Sequence, residues 1–192
     1  MLTERQSEIV NVAMKLLVEK GMQNLTIRNV ATEVGVSEAA IYRHFESKHD
    51  LLVKLLTKLQ NLIIPIFQSS KAPYLDLEDK LKELIGSIFS QIEEKPAFAI
   101  FVFTEEVFHV DAQLRPLLKE MLFEMIVQLE QLITKYQENK TCRADISARQ
   151  LANLLLGSIR LEITRWHLSA GAYPLTEKSL PLANTFSTLL IN

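Results

Sequence analysis

Little in this chain points to chemistry. In 192 residues it has one cysteine, Cys142, and four histidines, His44, His49, His109 and His167. A single thiol excludes an internal disulfide, has no second thiol to resolve an oxidised form, and fits a reducing compartment. The histidines lack metal-ligand spacing, and neither a glycine-rich phosphate loop nor a nucleophile elbow occurs. The sequence therefore names no catalytic residue, no metal site and no cofactor. No apolar run approaches the roughly 20 residues needed to cross a bilayer. The opening MLTERQSEIV lacks a basic stretch followed by an apolar core, so no secretion signal is predicted. The expectation is a cytoplasmic protein, without a membrane span, that binds rather than catalyses. Period-two alternation over strand length is missing as well, and with it hairpin turns, which makes the predicted fold all-α. No internal repeat or low-complexity tract is present.

What is there is concentrated near the start. Thr3 can form a capping box with Gln6 and open a first helix, with Ile9, Ala13, Leu16 and Leu17 on one face, that stops at Gly21. Thr26 can cap a second helix from Ile27 to Val34, on which Val30, Ala31 and Val34 share a face. Gly35 ends it, since glycine takes the left-handed conformation without steric cost. Ser37 then caps a third helix running to about Phe45, with Ile41 and Phe45 pointing inward. This is a helix, a tight glycine turn and a second helix: the pattern of a helix-turn-helix, whose second helix lies in the major groove of DNA. The face left free carries Ser37, Glu38, Ala39, Tyr42, Arg43 and His44. With Thr26, Arg28 and Lys48 around it, these are the predicted DNA-binding residues. Arg43 is best suited to read a guanine edge, whereas the alanines offer only methyl contacts.

Charge argues weakly for this reading. Residues 1–60 hold 8 Lys and Arg against 7 Asp and Glu, net +1, within a chain of formal charge −2. A nucleic-acid domain usually shows a strongly basic patch. The reading requires Arg28, Arg43, Lys48 and Lys54 to gather on one side while Glu4, Glu8 and Glu19 face away.

The strings LTIRNVATEVGVS and IYRHFESKHDLL, after a helix ending in Glu19, Lys20 and Gly21, resemble the N-terminal domain of the TetR family of bacterial transcriptional regulators. The motifs cover residues 3 to about 55; length, helical pattern and motif position extend the likeness to the whole chain. It implies about nine helices: a three-helix helix-turn-helix domain in 1–47, then a larger ligand-binding and dimerisation domain in 48–192, linked by a fourth helix starting at 48. It also implies that Tyr42 and Lys48 hold phosphates.

The fourth helix is predicted from the cap at Ser47 and the leucines Leu51, Leu52, Leu55, Leu56, Leu59 and Leu62; Pro65 should kink or end it, and Ser69 to Pro73 reads as a loop. Further helices are predicted over about 77–94, 97–109, 112–139, 147–170 and 177–191, the last starting at Thr176 with a kink at Pro181 or at Ser179 without one. A single recognition helix contacts too few bases, so such proteins bind palindromic DNA as dimers. The resemblance implies a four-helix bundle of the last two helices from each copy, and the candidate interface is Leu151, Leu155, Ile159, Trp166, Leu182, Phe186, Leu189 and Leu190. The middle of the chain is rich in aromatics and methionines. Phe98, Phe101, Glu105, Phe108, Met121, Met125, Arg160 and Trp166 are the candidate contacts for a small hydrophobic ligand, with core packing and internal Glu105–Arg160 or Glu105–Arg165 pairing as the alternative.

The functional expectation is a DNA-binding regulator, acting as a repressor and released by a small, mainly hydrophobic ligand. The alternative is a DNA-bound scaffold acting through a protein partner, because GVSEAAIYRHF also resembles regulators that inhibit cell division while held on DNA.

Overall fold

The computed structural model describes residues 2–69, 76–96, 99 and 112–191. Among these, eight α-helices and no strand occur: α1 Glu4–Lys20, α2 Ile27–Val34, α3 Glu38–Tyr42, α4 Lys48–Ser69, α5 Leu77–Glu94, α6 Arg115–Glu138, α7 Ala148–Leu168 and α8 Ser179–Leu190. Short 3₁₀ turns, Met22–Asn24, Ala112–Leu114 and Leu175–Lys178, precede α2, α6 and α8. None of the described helices is long and apolar enough to cross a membrane.

Local side-chain chemistry sets most of the helix starts. Thr3, Thr26, Ser37, Asp76 and Ser147 each accept a hydrogen bond from the backbone N–H three residues on, one of the four donors that a helix start leaves unpaired. Pro65 neither ends α4 nor starts a loop, because the helix runs on to Ser69. The last helix starts at Ser179, which places Pro181 in the first turn, where its missing N–H has no intrahelical partner to lose. The predicted helix over 97–109 lies almost wholly outside the described residues, as does the loop after Ser69.

The chain forms two compact units. The first holds α1 through the part of α4 ending at Asn61, with the start of α6 up to Lys119; the second holds Leu62–Lys95 and Glu120 onward. The expected boundary at residue 47 thus differs from the compact unit: Leu51, Leu52 and Leu55 are buried, and Lys58 Nζ donates to Asn11 Oδ1 on α1 at 2.6 Å.

In the second unit α5 packs chiefly against α8. Its core combines Leu81, Leu84, Ile85 and Phe89 of α5, Met121, Met125, Leu129 and Ile133 of α6, and Ala183, Phe186 and Leu190 of α8. Polar side chains fasten the connections. Gln137 Nε2 donates to the Arg143 and Ile146 carbonyls at 2.8 and 2.9 Å, and the Arg143 N–H reaches the Leu190 carbonyl at 2.7 Å. The Glu93 carboxylate receives both the N–H and the hydroxyl of Thr176 at 3.1 Å. Lys80, fully buried, pairs with Glu83. Cys142 is buried, which pushes its thiol pKa up against the pull of Arg143 and leaves little of the reactive thiolate.

The candidate dimer residues differ in burial. Leu151, Leu155, Ile159, Trp166, Phe186 and Leu190 are all buried within the single chain and have no surface to offer a partner. Of the expected set, Leu182 is half-buried and only Leu189 is well exposed. The reason lies in α7, which carries two apolar stripes. One faces inward, whereas Leu154, Leu161 and Leu168, seven residues apart, stand 59, 58 and 80% exposed. Two ligand candidates also lie on α7. Arg160 is on the exposed side of α7 rather than in the core. Trp166 donates its ring N–H to the Tyr173 carbonyl at 2.9 Å and lies under Gly171, so its polar edge is spent on closing the end of α7.

Candidate nucleic-acid interface

The core of the first unit explains which way α3 faces. Ile9, Ala13, Leu16 and Leu17 of α1, Val30 of α2, Ile41 of α3 and Phe45 after it have almost no exposed surface. At the end of α2, Gly35 takes a left-handed conformation, φ 78° and ψ 33°, and the Val36 N–H reaches back to the Ala31 carbonyl at 2.9 Å. This closure satisfies the last carbonyls of α2 and turns the chain sharply into Ser37. With Ile41 as the inward anchor of a five-residue helix, Glu38, Ala39 and Tyr42 are left on the outside. Tyr42 is 51% exposed.

The helix is shorter than expected. It ends at Tyr42, and Arg43 and His44 form a turn in which the N–H groups of His44 and Phe45 both point to the Ile41 carbonyl, at 2.9 and 3.1 Å. Burial of Phe45 draws the chain inward and places Arg43 at the exposed corner. Three contacts hold that corner. Gln6 has two tasks: its oxygen accepts from the Thr3 N–H in the capping box, and its Nε2 donates to the His44 carbonyl at 2.9 Å. Lys54 lies over the Phe45 ring, 5.2 Å from its centre, and its ammonium bonds Asp50 at 2.8 Å. Asp50 in turn accepts the Glu46 N–H at 3.1 Å, while its own N–H is capped by Ser47. Burial pushes the Asp50 carboxyl up, but the Lys54 and Glu46 hydrogen bonds outweigh it and hold the pKa below the ordinary value. The positioning roles of Gln6, Asp50 and Lys54 were not read from the sequence. The signals for Gln6 and Asp50 were their places near caps, and for Lys54 only its charge.

The weak charge balance of this region has a structural answer. Of its cations, Arg5 pairs with Glu8, Lys15 with Glu19 and Glu33, Lys20 with Glu33, and Lys54 with Asp50. Lys58 is held by Asn11. Arg28, Arg43 and Lys48 form no ion pair among the described residues, and they are three of the side chains that the sequence assigns to DNA. Lys54 is not in this group, since it is spent on Asp50 and Phe45. Two acids near α3, Glu38 and Glu46, also stand outside the ion pairs and reduce the local positive potential; Glu38 is in the first turn of α3, where an anion is favoured. Ser37 and Thr26 use their hydroxyl oxygens as caps, at 3.2 and 3.1 Å from the N–H groups of Ala40 and Asn29, leaving the hydroxyl protons free to donate to a phosphate. Among the described residues no group of His, Cys, Asp and Glu is arranged to hold a metal ion.

Comparison with known proteins agrees with this geometry. Residues 9–55 match the family described as bacterial regulatory proteins, tetR family, and residues 55–192 match the YsiA-like protein C-terminal region. The fatty acid metabolism regulator protein of Bacillus subtilis is 22% identical over 185 residues, covering 96% of this chain and 93% of its own. The nucleoid occlusion factor SlmA of Photobacterium profundum is 27% identical over 178 residues, covering 91% and 90%. The crystal structure of the transcriptional regulator FadR from Bacillus subtilis in complex with stearoyl-CoA shares the fold, with a TM-score of 0.82 at 19% identity over 97% of this chain and 98% of that one. With its helix-turn-helix and its C-terminal region both matched, the chain belongs to the TetR family of DNA-binding transcriptional regulators.

Proposed function

We propose that this chain is a repressor that binds a palindromic operator as a homodimer and leaves it when a small hydrophobic ligand of the long-chain acyl-CoA class binds in its C-terminal part. The observation that carries the DNA half is the set of cations Arg28, Arg43 and Lys48, which form no ion pair among the described residues, around an outward-facing α3. Phosphate contacts from Lys48, Tyr42, Ser37, Thr26 and His44 would fix the register, and base contacts from Arg43, Glu38 and Ala39 would read sequence. The cytoplasm, where the DNA is, is the place of action.

The dimer face we assign is the exposed stripe of α7, Leu154, Leu161 and Leu168, with Leu182 and Leu189 of α8. Gly157, between Leu154 and Leu161 on the same face, has open space where a side chain would stand, so a second helix can approach closely. For the ligand, Met121 and Met125 offer an adaptable apolar surface on α6. Phe98, Phe101, Glu105 and Phe108, outside the described residues, remain candidate contacts. Support for the acyl-CoA class comes from the regulator of like fold that binds stearoyl-CoA. Helix α4 contributes residues to both compact units and is the natural relay. A ligand acts only if it prefers the state that does not bind DNA, and a coupling of about 1–3 kcal/mol corresponds to a 5–150-fold loss of DNA affinity.

Binding to the DNA upstream of the chain's own gene, measured by gel shift with and without stearoyl-CoA, tests the proposal. A salt-sensitive shift that stearoyl-CoA weakens supports it, and no shift at any salt refutes it. The likeness to a nucleoid occlusion factor favours a second reading, a DNA-bound scaffold for a protein partner. A shift indifferent to stearoyl-CoA and to shorter acyl-CoAs would favour that reading.

A further inference from the structure

The side-chain oxygen of Gln128 is buried and has no hydrogen-bond partner, the one such atom among the described residues. Native structures leave few such atoms, and each calls for an explanation. Other polar groups of this unit are satisfied. Lys80 has Glu83, Glu93 has Thr176, Gln137 has two carbonyls, and the Trp166 N–H has the Tyr173 carbonyl.

Position adds meaning. Gln128 lies seven residues beyond Met121 and three beyond Met125, so on an α-helix it falls within about 20° of Met121 around the axis. Both methionines are buried, at 4% and 2% exposure. This side of α6 therefore carries two buried thioether side chains and, on the half-buried Gln128, one buried acceptor without a partner. A leucine or methionine at 128 would avoid the desolvation penalty that the buried amide oxygen carries. Pockets for small molecules have this composition: apolar walls and a few polar atoms that fix orientation.

We infer that Gln128 is a specificity-determining contact for the ligand, its side-chain oxygen accepting a hydrogen bond from an O–H or N–H group on an otherwise apolar molecule. This rests on the proposed ligand-binding function. A hydroxyl on the chain and an amide N–H beside it are two sources of the same donor. A deprotonated carboxylate at that point would set lone pairs against lone pairs and be rejected.

The test compares wild type with Gln128→Met by thermal unfolding and by calorimetric titration with dodecan-1-ol, with dodecyl methyl ether, which has the same chain but no donor, and with stearoyl-CoA, which supplies amide N–H groups. The ligand-free variant should melt higher than wild type by about 2–4 °C, the shift expected for relief of one kcal/mol in a chain of this size. Wild type should bind the alcohol several-fold more tightly than the ether, about tenfold at most for one neutral hydrogen bond, and the variant should not distinguish them. Preference for the alcohol alone marks a chain hydroxyl as the donor; several-fold weaker stearoyl-CoA binding by the variant marks the amide. A variant that melts no higher than wild type, with unchanged affinity for all three probes, overturns the role of Gln128 and leaves ligand binding standing. A wild type that binds none of the three overturns both. Gln128→Leu, of different shape, repeats the measurement if the methionine variant does not fold.

Discussion

Removal of the Lys48 ammonium should change the salt dependence of operator binding by an amount that follows from the ion-pair pattern. Five of the eight cations in residues 1–60 are held within the protein, and Arg28, Arg43 and Lys48 form no ion pair among the described residues. The proposed dimer would thus bring six such side chains to DNA. If all six reach phosphates, counterion release at about 0.9 per contact sets the slope of log affinity against log salt near −5.4; if Arg43 in each copy turns to a base edge, it is near −3.6. Lys48→Ala deletes one contact in each copy and should flatten the slope by about 1.8, with a similar loss of affinity on every sequence. Fluorescence anisotropy of a labelled operator, titrated at several salt concentrations between about 50 and 200 mM, gives the slope directly. Because α4 begins at Lys48 and Ser47 caps the Asp50 N–H, the variant should fold. An unchanged slope in the variant, or a wild-type slope shallower than about −2, would show that these cations do not meet the phosphates.

Arg43→Ala should differ in kind, relaxing the preference at one base pair of each half-site by about 1–3 kcal/mol, as read by binding to operators with single substitutions. Leu161→Glu should convert the dimer to a monomer in sedimentation while leaving the melting temperature of the fold nearly unchanged, whereas Leu155→Ala, in the core, should cost about 2–5 kcal/mol of stability in denaturant unfolding. Gly35→Ala forces a side chain into left-handed backbone at a cost of about 1–2 kcal/mol, a fall of roughly 2–8 °C in thermal unfolding. Asp50, whose folded pKa is depressed, adds stability at pH values above its unfolded pKa of about 3.8, and this is lost as pH falls through the lower folded value. The stabilities of wild type and Asp50→Asn should therefore differ at neutral pH and converge in strong acid, as followed by urea unfolding across pH.

How far the sequence could be read depended on the range of the interaction. The caps at Thr3, Thr26 and Ser37 and the turn at Gly35 are bonds between residues three to five apart, and each is legible from residue type and spacing. The end of α3 was not, because burial of Phe45 and the reach of Gln6 across 38 positions to the His44 carbonyl draw the chain out of its helix. Nor could counting charges reveal the free cations: the pairing of Lys20 with Glu33 joins two elements, and only that tertiary contact separates spent charge from available charge. The two stripes of α7 show the same limit. Leu151, Leu155, Ile159 and Trp166 repeat as regularly as Leu154, Leu161 and Leu168, and periodicity does not say which stripe packing turns inward.

The central claim, that α3 and the turn after it present Tyr42 and Arg43 to DNA once from each half of a two-fold dimer, is tested most directly by a methylation-protection footprint on the chain's own upstream region. Two protected major-groove patches, related by a dyad and centred one helical turn of about 10–10.5 base pairs apart or a multiple of it, are predicted, and both should disappear with Arg43→Ala and Tyr42→Ala combined. A single protected patch, or a footprint untouched by those substitutions, would contradict it.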